Sequence, residues 1–491
     1  MVYNPDEAPP GSRPPFEDLS KDGNDWVPMY SHGCTFGVDV FIDKMMNLIK
    51  NPNINSSWLY RADILYDDQC QVQIGEGDEA SRPRVREIGD MARDRILVRT
   101  LVPRSTRRDA PLDQTCTFHT AHDSDGRVRS LVLYTPHISD PEEMPFYHPK
   151  VKAIAHHHVW DPTTNSGNIS VHFLPYSQEL LQDKKIQRTA YHLLQVLHKH
   201  GEGSASGYVK RVHHDLIVPQ ARFQDHYAAF KSKYSRVLIS AWAEKTDPVK
   251  HVFEDLGIAA FLIELWADMY KSPDEFPGFV DIGCGNGLLV YILNQEGYKG
   301  WGFDARSRES WNKYGSSVSA SPSGYSLEQR LLLPSLVAGE PEGGADELTE
   351  TDQVHDGVFP TGTFIISNHA DELTPWTPIL AAASDCPFIM IPCCSHNLSG
   401  DKYRAPPPRD KTKPSSTYAS LVDWVTQIAE ECNWEVETEM LRIPSTRNTG
   451  LLGRKRGEKV VDLQAVICKY GGAKGYRANV EQLLKSGPRG H

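Results

Sequence analysis

Three glycines within five positions, between two apolar runs, place a tight strand-to-helix turn in this chain. The stretch is VDIGCGNGLLVYILNQEGYKGWGFDA, residues 280–305, with Gly283, Gly285 and Gly287 at the turn. Glycine adopts backbone conformations that other residues avoid, and it lets a ligand approach the backbone closely. We therefore predict a strand, a ligand-binding turn and a helix, which is where open α/β sheets bind their ligands.

Two aspartates indicate which ligand this turn holds. Asp281 lies two positions before the first glycine, and Asp304 ends the next predicted strand, 23 positions later. A carboxylate at the second position accepts hydrogen bonds from both hydroxyls of a ribose. The spacing G-x-G-x-G differs from the dinucleotide fingerprint G-x-G-x-x-G. S-adenosylmethionine (SAM) carries an ammonium group that Asp281 can receive, whereas NAD has no cation there.

The sequence thus predicts SAM as the cofactor. The predicted cofactor-binding residues are Asp281, Gly283, Cys284, Gly285, Asn286, Gly287, Asp304, Ala305 and Arg306. For Arg306 two readings are open, since it can reach the cofactor or an incoming phosphate, or pair with Asp304.

The order of predicted elements indicates two structured regions and an α/β fold class. Strands and helices alternate from about residue 276 onward, which predicts a C-terminal Rossmann-like class I SAM-dependent methyltransferase domain. Short β-branched and aromatic runs predict an N-terminal strand-rich α+β accessory domain. A helix is expected to end at Gly201, and another to begin with Asp247 as N-cap. The predicted divisions are a flexible tail 1–35, the accessory domain 36–215, a helical connector 216–275, and the methyltransferase domain 276–491 with an insertion at 315–358.

Composition restricts where the chain works and what it binds. No apolar run approaches the roughly 18 residues of a membrane span, and the first residues lack the apolar core of a signal peptide. The nine cysteines show no regular framework, so we expect reduced thiols and a cytoplasmic location. The net charge of −12 means that nucleic-acid binding needs local basic patches.

Two later strands end in polar residues that are candidates for the acceptor side of the site. FIISNHADELTPW, residues 364–376, contains Asn368, His369, Asp371 and Glu372, which we expect to position an acceptor or take its proton. The strand PFIMIPCCSH ends in Cys393, Cys394 and His396. Adjacent cysteines chelate poorly and no fourth ligand follows at finger-like spacing, so we predict a site-lining turn and no metal.

Basic residues near the C-terminus are suited to phosphate contacts. The stretch LRIPSTRNTGLLGRKRGEK supplies the predicted RNA-binding residues Arg442, Arg447, Arg454, Lys455 and Arg456, although a solvated hairpin loop also explains them. A run of nine arginines from Arg82 to Arg108 predicts a second RNA-binding strip on the accessory domain, diluted by acidic neighbours.

Several stretches together resemble one family. FVDIGCGNGLLVYILNQEGYKGWGFDARSRESW, SNHADELTPW, PCCSHNLSG and RIPSTRN resemble the eukaryotic tRNA (uracil-2′-O-)-methyltransferase family that modifies uridine 44 of serine tRNAs. The resemblance covers roughly residues 210–470. It implies SAM-dependent methylation of a ribose 2′-hydroxyl, with serine tRNA as partner. We expect no membrane partner, and the sequence does not predict whether an obligate protein partner exists.

Under that resemblance, Asp371 or Glu372 accepts the hydroxyl proton, while Asn368 and His369 orient the ribose. The Lys-Asp-Lys-Glu tetrad of many other 2′-O-methyltransferases is not evident. Two further function classes stay open, a SAM-dependent methyltransferase of a protein or small molecule, and a non-catalytic RNA-binding protein.

Overall fold

The computed structural model describes residues 3–22, 25–69, 82–106, 108–207, 214–337, 354–411 and 416–485. The chain divides into two compact units, Met1–Lys210 (unit 1) and Arg211–His491 (unit 2). Among the helices in those ranges, none combines the length and apolar character that a membrane span requires. The eight cysteines within them are all unpaired thiols.

Unit 1 is built on one eight-stranded antiparallel sheet, which confirms the strand-rich prediction. Its order is β1-β2-β8-β7-β6-β5-β4-β3. The strands are β1 (Asp6–Glu7), β2 (Val27–Cys34), β3 (Leu59–Asp67), β4 (Ala92–Pro103), β5 (Leu112–His122), β6 (Val128–Pro136), β7 (Val151–Asp161) and β8 (Ser166–Pro175).

Two helices, α1 (Val38–Lys50) and α2 (Lys184–Ala205), cover one face of this sheet. The prediction that the second helix ends at Gly201 is wrong, because α2 continues to Ala205. A Cβ atom at Gly201 would lie 2.3 Å from Cε1 of Phe36. The glycine therefore permits close packing rather than ending the helix.

The other face is covered by the N-terminal segment. Phe16 and Trp26 are buried against strand residues of this face, including Leu131. Asp18 accepts hydrogen bonds from Nε1 of Trp26 at 2.7 Å and from Nε of Arg86 at 2.6 Å. The predicted flexible tail over 1–35 is therefore wrong for its described residues, because these buried contacts outweigh the Pro-rich composition.

Unit 2 contains a seven-stranded sheet in the order β11-β10-β9-β14-β15-β17-β16. Strands β9, β10, β11, β14 and β15 run parallel, and β17 is antiparallel to both β15 and β16. A separate pair is formed by β12 and β13. The bounds are β9 (Phe279–Ile282), β10 (Gly300–Asp304), β11 (Leu327–Gln329), β12 (Leu331–Leu332), β13 (Val354–His355), β14 (Phe364–Asn368), β15 (Phe388–Ile391), β16 (Trp434–Met440) and β17 (Thr449–Arg456).

Helices pack on both faces of this sheet, as the alternating pattern predicts. One core contains residues of α3, α4 and α5, and a second core contains residues of α7 to α10. The bounds are α3 (Gln220–Ser240), α4 (Pro248–Met269), α5 (Leu288–Gln295), α6 (Trp311–Tyr314), α7 (Thr377–Ser384), α8 (Thr417–Glu431), α9 (Leu463–Lys469) and α10 (Tyr476–Lys485).

Residues 216–275, predicted as a helical connector, contain helices α3 and α4, and both helices contribute to a core of unit 2. The side chain of Asp247 accepts from the amides of Val249 and Lys250, so α4 begins with the predicted N-cap. Most of α4 after Val252 is buried around its whole circumference, and the ring of Trp266 lies 5.4 Å from that of Phe364 in the sheet. A helix that is apolar all round belongs to a core.

The predicted insertion at 315–358 also contains part of the sheet. Leu327–Gln329 is strand β11, which pairs in parallel with β10, so that Gly302 lies opposite Leu327. This short apolar run belongs to the sheet because it forms the edge strand beside β10. Residues 338–353 of the predicted insertion lie outside the described part of the chain.

We expect Asp18→Ala to lower the free energy of unfolding of unit 1 by about 2–4 kcal/mol, since it removes one partner of a buried ion pair. Burial acts to raise the pKa of Asp18, but hydrogen bonds from Trp26, Ser20 and Arg86 outweigh it and hold the pKa below its usual value. This contribution is therefore present above the unfolded pKa of about 4 and is lost as the pH falls through the folded pKa.

Denaturant unfolding at neutral pH and at pH 3 measures both effects. Asp125→Ala is the control, because its exposed pair with Arg127 contributes little. Equal stability losses for the two variants would contradict the assigned role of Asp18.

Candidate active site

The strand order of unit 2 reverses between β9 and β14, and a cavity of about 650 Å³ lies at the carboxyl ends of these strands. From β9 the chain passes through α5 to β10 on one side, whereas β14 lies on the other side. Such a switch point leaves a crevice between diverging connections. The cavity is lined by the glycine turn, by the end of β14 and by the turn after β15.

The three glycines of the turn have different physical roles. Gly283, Gly285 and Gly287 all have positive φ, at 75°, 53° and 76°. A Cβ atom at Gly287 would lie 2.5 Å from Cδ1 of Leu327, whereas one at Gly285 would meet nothing within 4 Å. Gly287 is thus required for packing against β11, while Gly285 leaves open space on the cavity side.

Asp304 ties this turn to the neighbouring strand. Its Oδ2 accepts from the amide of Gly285 at 3.1 Å, and its Oδ1 accepts from the amide of Arg306 at 3.1 Å. The carboxylate is held at the mouth of the cavity by two backbone donors. Its remaining lone pairs are available to a ligand hydroxyl.

The segment after Asp304 also holds the turn. Nε1 of Trp311 donates to the carbonyl of Gly285 at 2.9 Å, and the Ser310 hydroxyl donates to the carbonyl of Asn286 at 2.8 Å. The Ser310 amide donates to Glu244 at 3.0 Å. Ser310 and Trp311 were not predicted as site residues, although they end the stretch GFDARSRESW, which is part of the family resemblance.

Eight of the nine predicted cofactor-binding residues line the cavity. Gly287 is the exception, because it faces Leu327. Arg306 lines the cavity, and its backbone amide donates to Oδ1 of Asp304 at 3.1 Å. The role of its guanidinium stays a prediction.

The residues present fit a cationic ligand at Asp281. Asp281 is 2% exposed, and its Oδ1 has no hydrogen-bond partner within the described part of the chain. Burial raises the pKa of Asp281 well above its usual value, and the charges of Asp255 and Asp304 raise it further. A buried carboxylate without a partner is costly, and a bound cation would remove that cost.

The end of β14 brings the predicted acceptor residues to the same cavity. Asn368, His369, Asp371 and Glu372 all line it. His369 and Asp371 have φ of 53° and 45°, a left-handed conformation that is uncommon for residues other than glycine. Burial raises the pKa of Glu372, and the nearby charges of Asp371 and Asp304 add to that shift.

The turn after β15 contacts Asp371. Sγ of Cys393 donates to Oδ1 of Asp371 at 3.1 Å, and the guanidinium of Arg447 contacts the Cys393 carbonyl and Sγ of Cys394. Asp371, Cys393 and Cys394 have donor atoms within 4.8 Å of one another. Burial and the charge of Asp371 raise the pKa of both thiols, which disfavours the thiolate form that metals bind. The absence of a metal stays a prediction.

The five residues predicted to bind RNA are not gathered into one patch. Arg442 forms a bidentate pair with Asp215, and Arg454 forms one with Glu437. Arg456 donates to the carbonyls of Cys432 and Ala382, Arg447 lines the cavity, and Lys455 is exposed. Their roles in RNA binding remain a prediction, with four of the five engaged in intramolecular contacts.

The arginine run of unit 1 is similarly occupied. Arg86 pairs with Asp18 and Asp22, and Arg95 pairs with Asp67. Arg99 is buried and donates to Gln114. Arg107 lies outside the described residues.

Two acidic residues that sequence analysis missed come from α4. Glu254 and Asp255 are 6% and 8% exposed and line the cavity. Oε1 of Glu254 lies 3.1 Å from Nε2 of His369, and Nδ2 of Asn368 lies 3.5 Å from Oδ1 of Asp255. Two adjacent acids inside an apolar helix were the signal that could have found them.

Comparisons with known proteins agree with this geometry. The family described as "TRM44-like, N-terminal bet v1-like domain" matches residues 5–211, and "Predicted AdoMet-dependent methyltransferase" matches residues 217–327. The chain is 57% identical to a tRNA (uracil-O(2)-)-methyltransferase of Neurospora crassa, over 94% of this chain and 93% of that protein. Relatives with the same description in Schizosaccharomyces pombe and Saccharomyces cerevisiae are 38% and 36% identical, covering 95% and 96% of this chain and 94% and 95% of their own lengths.

Among solved structures, major latex-like protein 151 of Panax ginseng matches 36% of this chain and 97% of its own, at 11% identity and a TM-score of 0.18.

We expect Gly287→Ala and Gly285→Ala to separate packing from binding. Gly287→Ala adds backbone strain and a clash with Leu327, so unfolding free energy should fall by about 2–4 kcal/mol. Gly285→Ala adds only backbone strain, about 1 kcal/mol, but places a methyl group on the cavity side.

Thermal unfolding and SAM calorimetry on both variants test this. In Gly285→Ala, the free energy of SAM binding should weaken by more than the free energy of unfolding falls. Gly126→Ala is the control for strain alone, because Gly126 lies at a positive-φ turn of unit 1 with open space around its Cβ. A larger stability loss for Gly285→Ala than for Gly287→Ala would contradict the assignment.

Proposed function

The chain belongs to the tRNA (uracil-O(2)-)-methyltransferase family, and we propose that its acceptor is the ribose 2′-hydroxyl of uridine 44 in serine tRNA. The protein is a SAM-dependent tRNA 2′-O-methyltransferase. The observation that carries the acceptor proposal is the cavity that joins the glycine turn to the polar end of β14. Identity of 57% across nearly the whole chain supports it.

For unit 2 we propose the Rossmann-like class I methyltransferase fold. Support comes from five adjacent parallel strands, an antiparallel hairpin at one edge and the ligand cavity at the strand reversal. For residues 36–215 we propose an accessory RNA-binding role, and for the protein a cytoplasmic location, consistent with its unpaired thiols.

SAM supplies a methyl group activated by bonding to a positively charged sulfur. Asp281, Asp304 and the Gly285 backbone are the residues we propose to hold it. When bound, SAM would supply this methyl group to the 2′-oxygen and leave as S-adenosylhomocysteine, and a residue of this chain would take the proton of the 2′-hydroxyl. Most of the acceleration then comes from orientation, for which Asn368 and His369 are placed at the cavity wall.

We propose Glu372 as the proton acceptor, in preference to Asp371. Burial raises the pKa of Glu372, and a carboxylate with a raised pKa is a stronger proton acceptor. Asp371 already accepts from the Cys393 thiol through Oδ1. The roles of both carboxylates are testable separately.

Cationic side chains that line the same cavity are the proposed phosphate contacts. They include Lys250, Arg308 and Arg447. Of the five predicted RNA-binding residues, we propose that Arg447 contacts the tRNA beside the acceptor nucleotide, because it contacts the turn at Cys393. Phosphate contacts position an RNA without reading its sequence.

The acceptor is tested with radiolabelled SAM and two serine tRNA transcripts, one normal and one with 2′-deoxyuridine at position 44. We expect label in the normal transcript alone, because the deoxy transcript has no hydroxyl to methylate. Label in both transcripts would contradict position 44 as the methylated nucleotide. Label in neither transcript, with SAM binding intact, would contradict serine tRNA as the acceptor.

We expect Glu372→Gln to reduce kcat by about 10²- to 10⁴-fold with unchanged SAM affinity, the usual range for loss of a general base. In the wild type, kcat should fall as the pH drops through the raised pKa of Glu372, because the protonated carboxyl cannot accept the proton. Asp371→Asn should have a smaller effect.

Single-turnover methylation across pH measures this, with Glu435→Gln on the exposed side of β16 as control. If Glu372→Gln retains wild-type turnover and an unchanged pH profile, Glu372 is not the base.

A further inference from the structure

Helix α4 carries a buried acidic pair whose second member, Asp255, has no lysine or arginine partner among the described residues. Asp255 is 8% exposed, and Nδ2 of Asn368 lies 3.5 Å from its Oδ1, a long contact. Among the described residues, no lysine or arginine lies within 4.0 Å of the carboxylate of Asp255 or Asp281. Glu254, in contrast, contacts His369.

The electrostatics of the two neighbours differ accordingly. Burial acts to raise the pKa of Glu254, but the hydrogen bond and charge of His369, with Lys250 and His251, outweigh it and lower that pKa. Burial and the charge of Glu254 raise the pKa of Asp255 well above its usual value. The charge of Asp255 also contributes to the raised pKa of Asp281. Asp255 and Asp281 therefore form a buried acidic site that a cation would stabilise.

Unused acceptor atoms lie in the same wall of the cavity. Oδ1 of Asp281 and Oδ1 of Asn368 are both buried, and neither atom has a hydrogen-bond partner among the residues that the structure describes. Native proteins rarely leave buried polar atoms unpaired without a reason such as a ligand. Asp255 adds a third acceptor, and an alkylammonium group has three N–H donors and no acceptor.

We propose that Asp255 is a cofactor-binding residue and that, with Asp281 and Asn368, it accepts the three N–H groups of the ammonium at the methionine end of SAM. The inference rests on the SAM cofactor of the proposed function and on no part of the tRNA assignment. It adds a residue from α4, outside the glycine turn, to the recognition of the cofactor. It also gives a role to a buried acid of α4 that pairs with no lysine or arginine among the described residues.

A purely structural role for Asp255, such as holding Asn368, predicts a different result. Loss of that role would alter the acceptor side of the site and affect every cofactor analogue alike. Recognition of the ammonium affects only the ligands that carry one. Analogues that differ in charged groups therefore separate the two roles.

The test is calorimetry of the full-length Asp255→Asn variant with three ligands. SAM carries an ammonium, a carboxylate and a sulfonium. S-adenosylhomocysteine carries the ammonium and the carboxylate, and 5′-methylthioadenosine carries none of the three. We expect about 10- to 100-fold weaker binding of SAM and of S-adenosylhomocysteine, the range for a lost charged hydrogen bond, and unchanged binding of 5′-methylthioadenosine.

Asp268→Asn is the matched control, because Asp268 lies on the same helix and pairs with Arg222. It should leave all three affinities unchanged. Ligand-free Asp255→Asn should unfold at or above the wild-type temperature, since the amide needs no counter-ion. If the amide is poorly tolerated, Asp255→Ser provides the same comparison.

Three results would overturn the proposal. The first is an unchanged SAM affinity in Asp255→Asn, and the second is an equal loss of affinity for all three ligands. The third is a loss of affinity for SAM alone, which would assign Asp255 to the sulfonium. Failure of the tRNA methylation assay with this binding pattern intact would count against the acceptor proposal only.

Discussion

The hydrogen bond from the Gly285 amide to Asp304 connects two neighbouring strand ends, and the shape of the cavity depends on it. Strands β9 and β10 end side by side, and the turn after one is held by the carboxylate at the end of the other. Trp311 and Ser310 hold the carbonyl side of the same turn. A turn with three positive-φ glycines is intrinsically free, so these contacts supply the order that a binding site needs.

Charge at the cavity is arranged for a cationic cofactor and a polyanionic substrate. Among the described residues, Asp255 of α4 and Asp281 of β9 have no lysine or arginine within 4.0 Å of their carboxylates, whereas Lys250, Arg308 and Arg447 also line the cavity. The net charge of −12 opposes tRNA only weakly at distance, because charges are screened over about 8 Å at physiological ionic strength. Local cations therefore decide where RNA contacts this unit.

Unit 1 shows why a count of basic residues is a poor guide to an RNA surface. Its sheet is covered on one face by α1 and α2 and on the other by the N-terminal segment. Several arginines of the run are used to hold these layers, as Arg86 does with Asp18. A side chain committed to an internal ion pair is less available to a phosphate, and the sequence alone does not record that commitment.

Local sequence determined the elements that need only neighbouring residues. The glycine turn, the cap at Asp247, the strand that ends in Asn368 and the choice of SAM over NAD all follow from short-range backbone and charge rules. The tertiary structure alone decided that α4 is core and brings Asp255 to Asp281, that Leu327–Gln329 completes the sheet, and that residues near Trp26 cover a sheet face. These contacts join residues far apart in the chain, and burial, which sets both their packing and the pKa values of their carboxylates, exists only once the chain has folded.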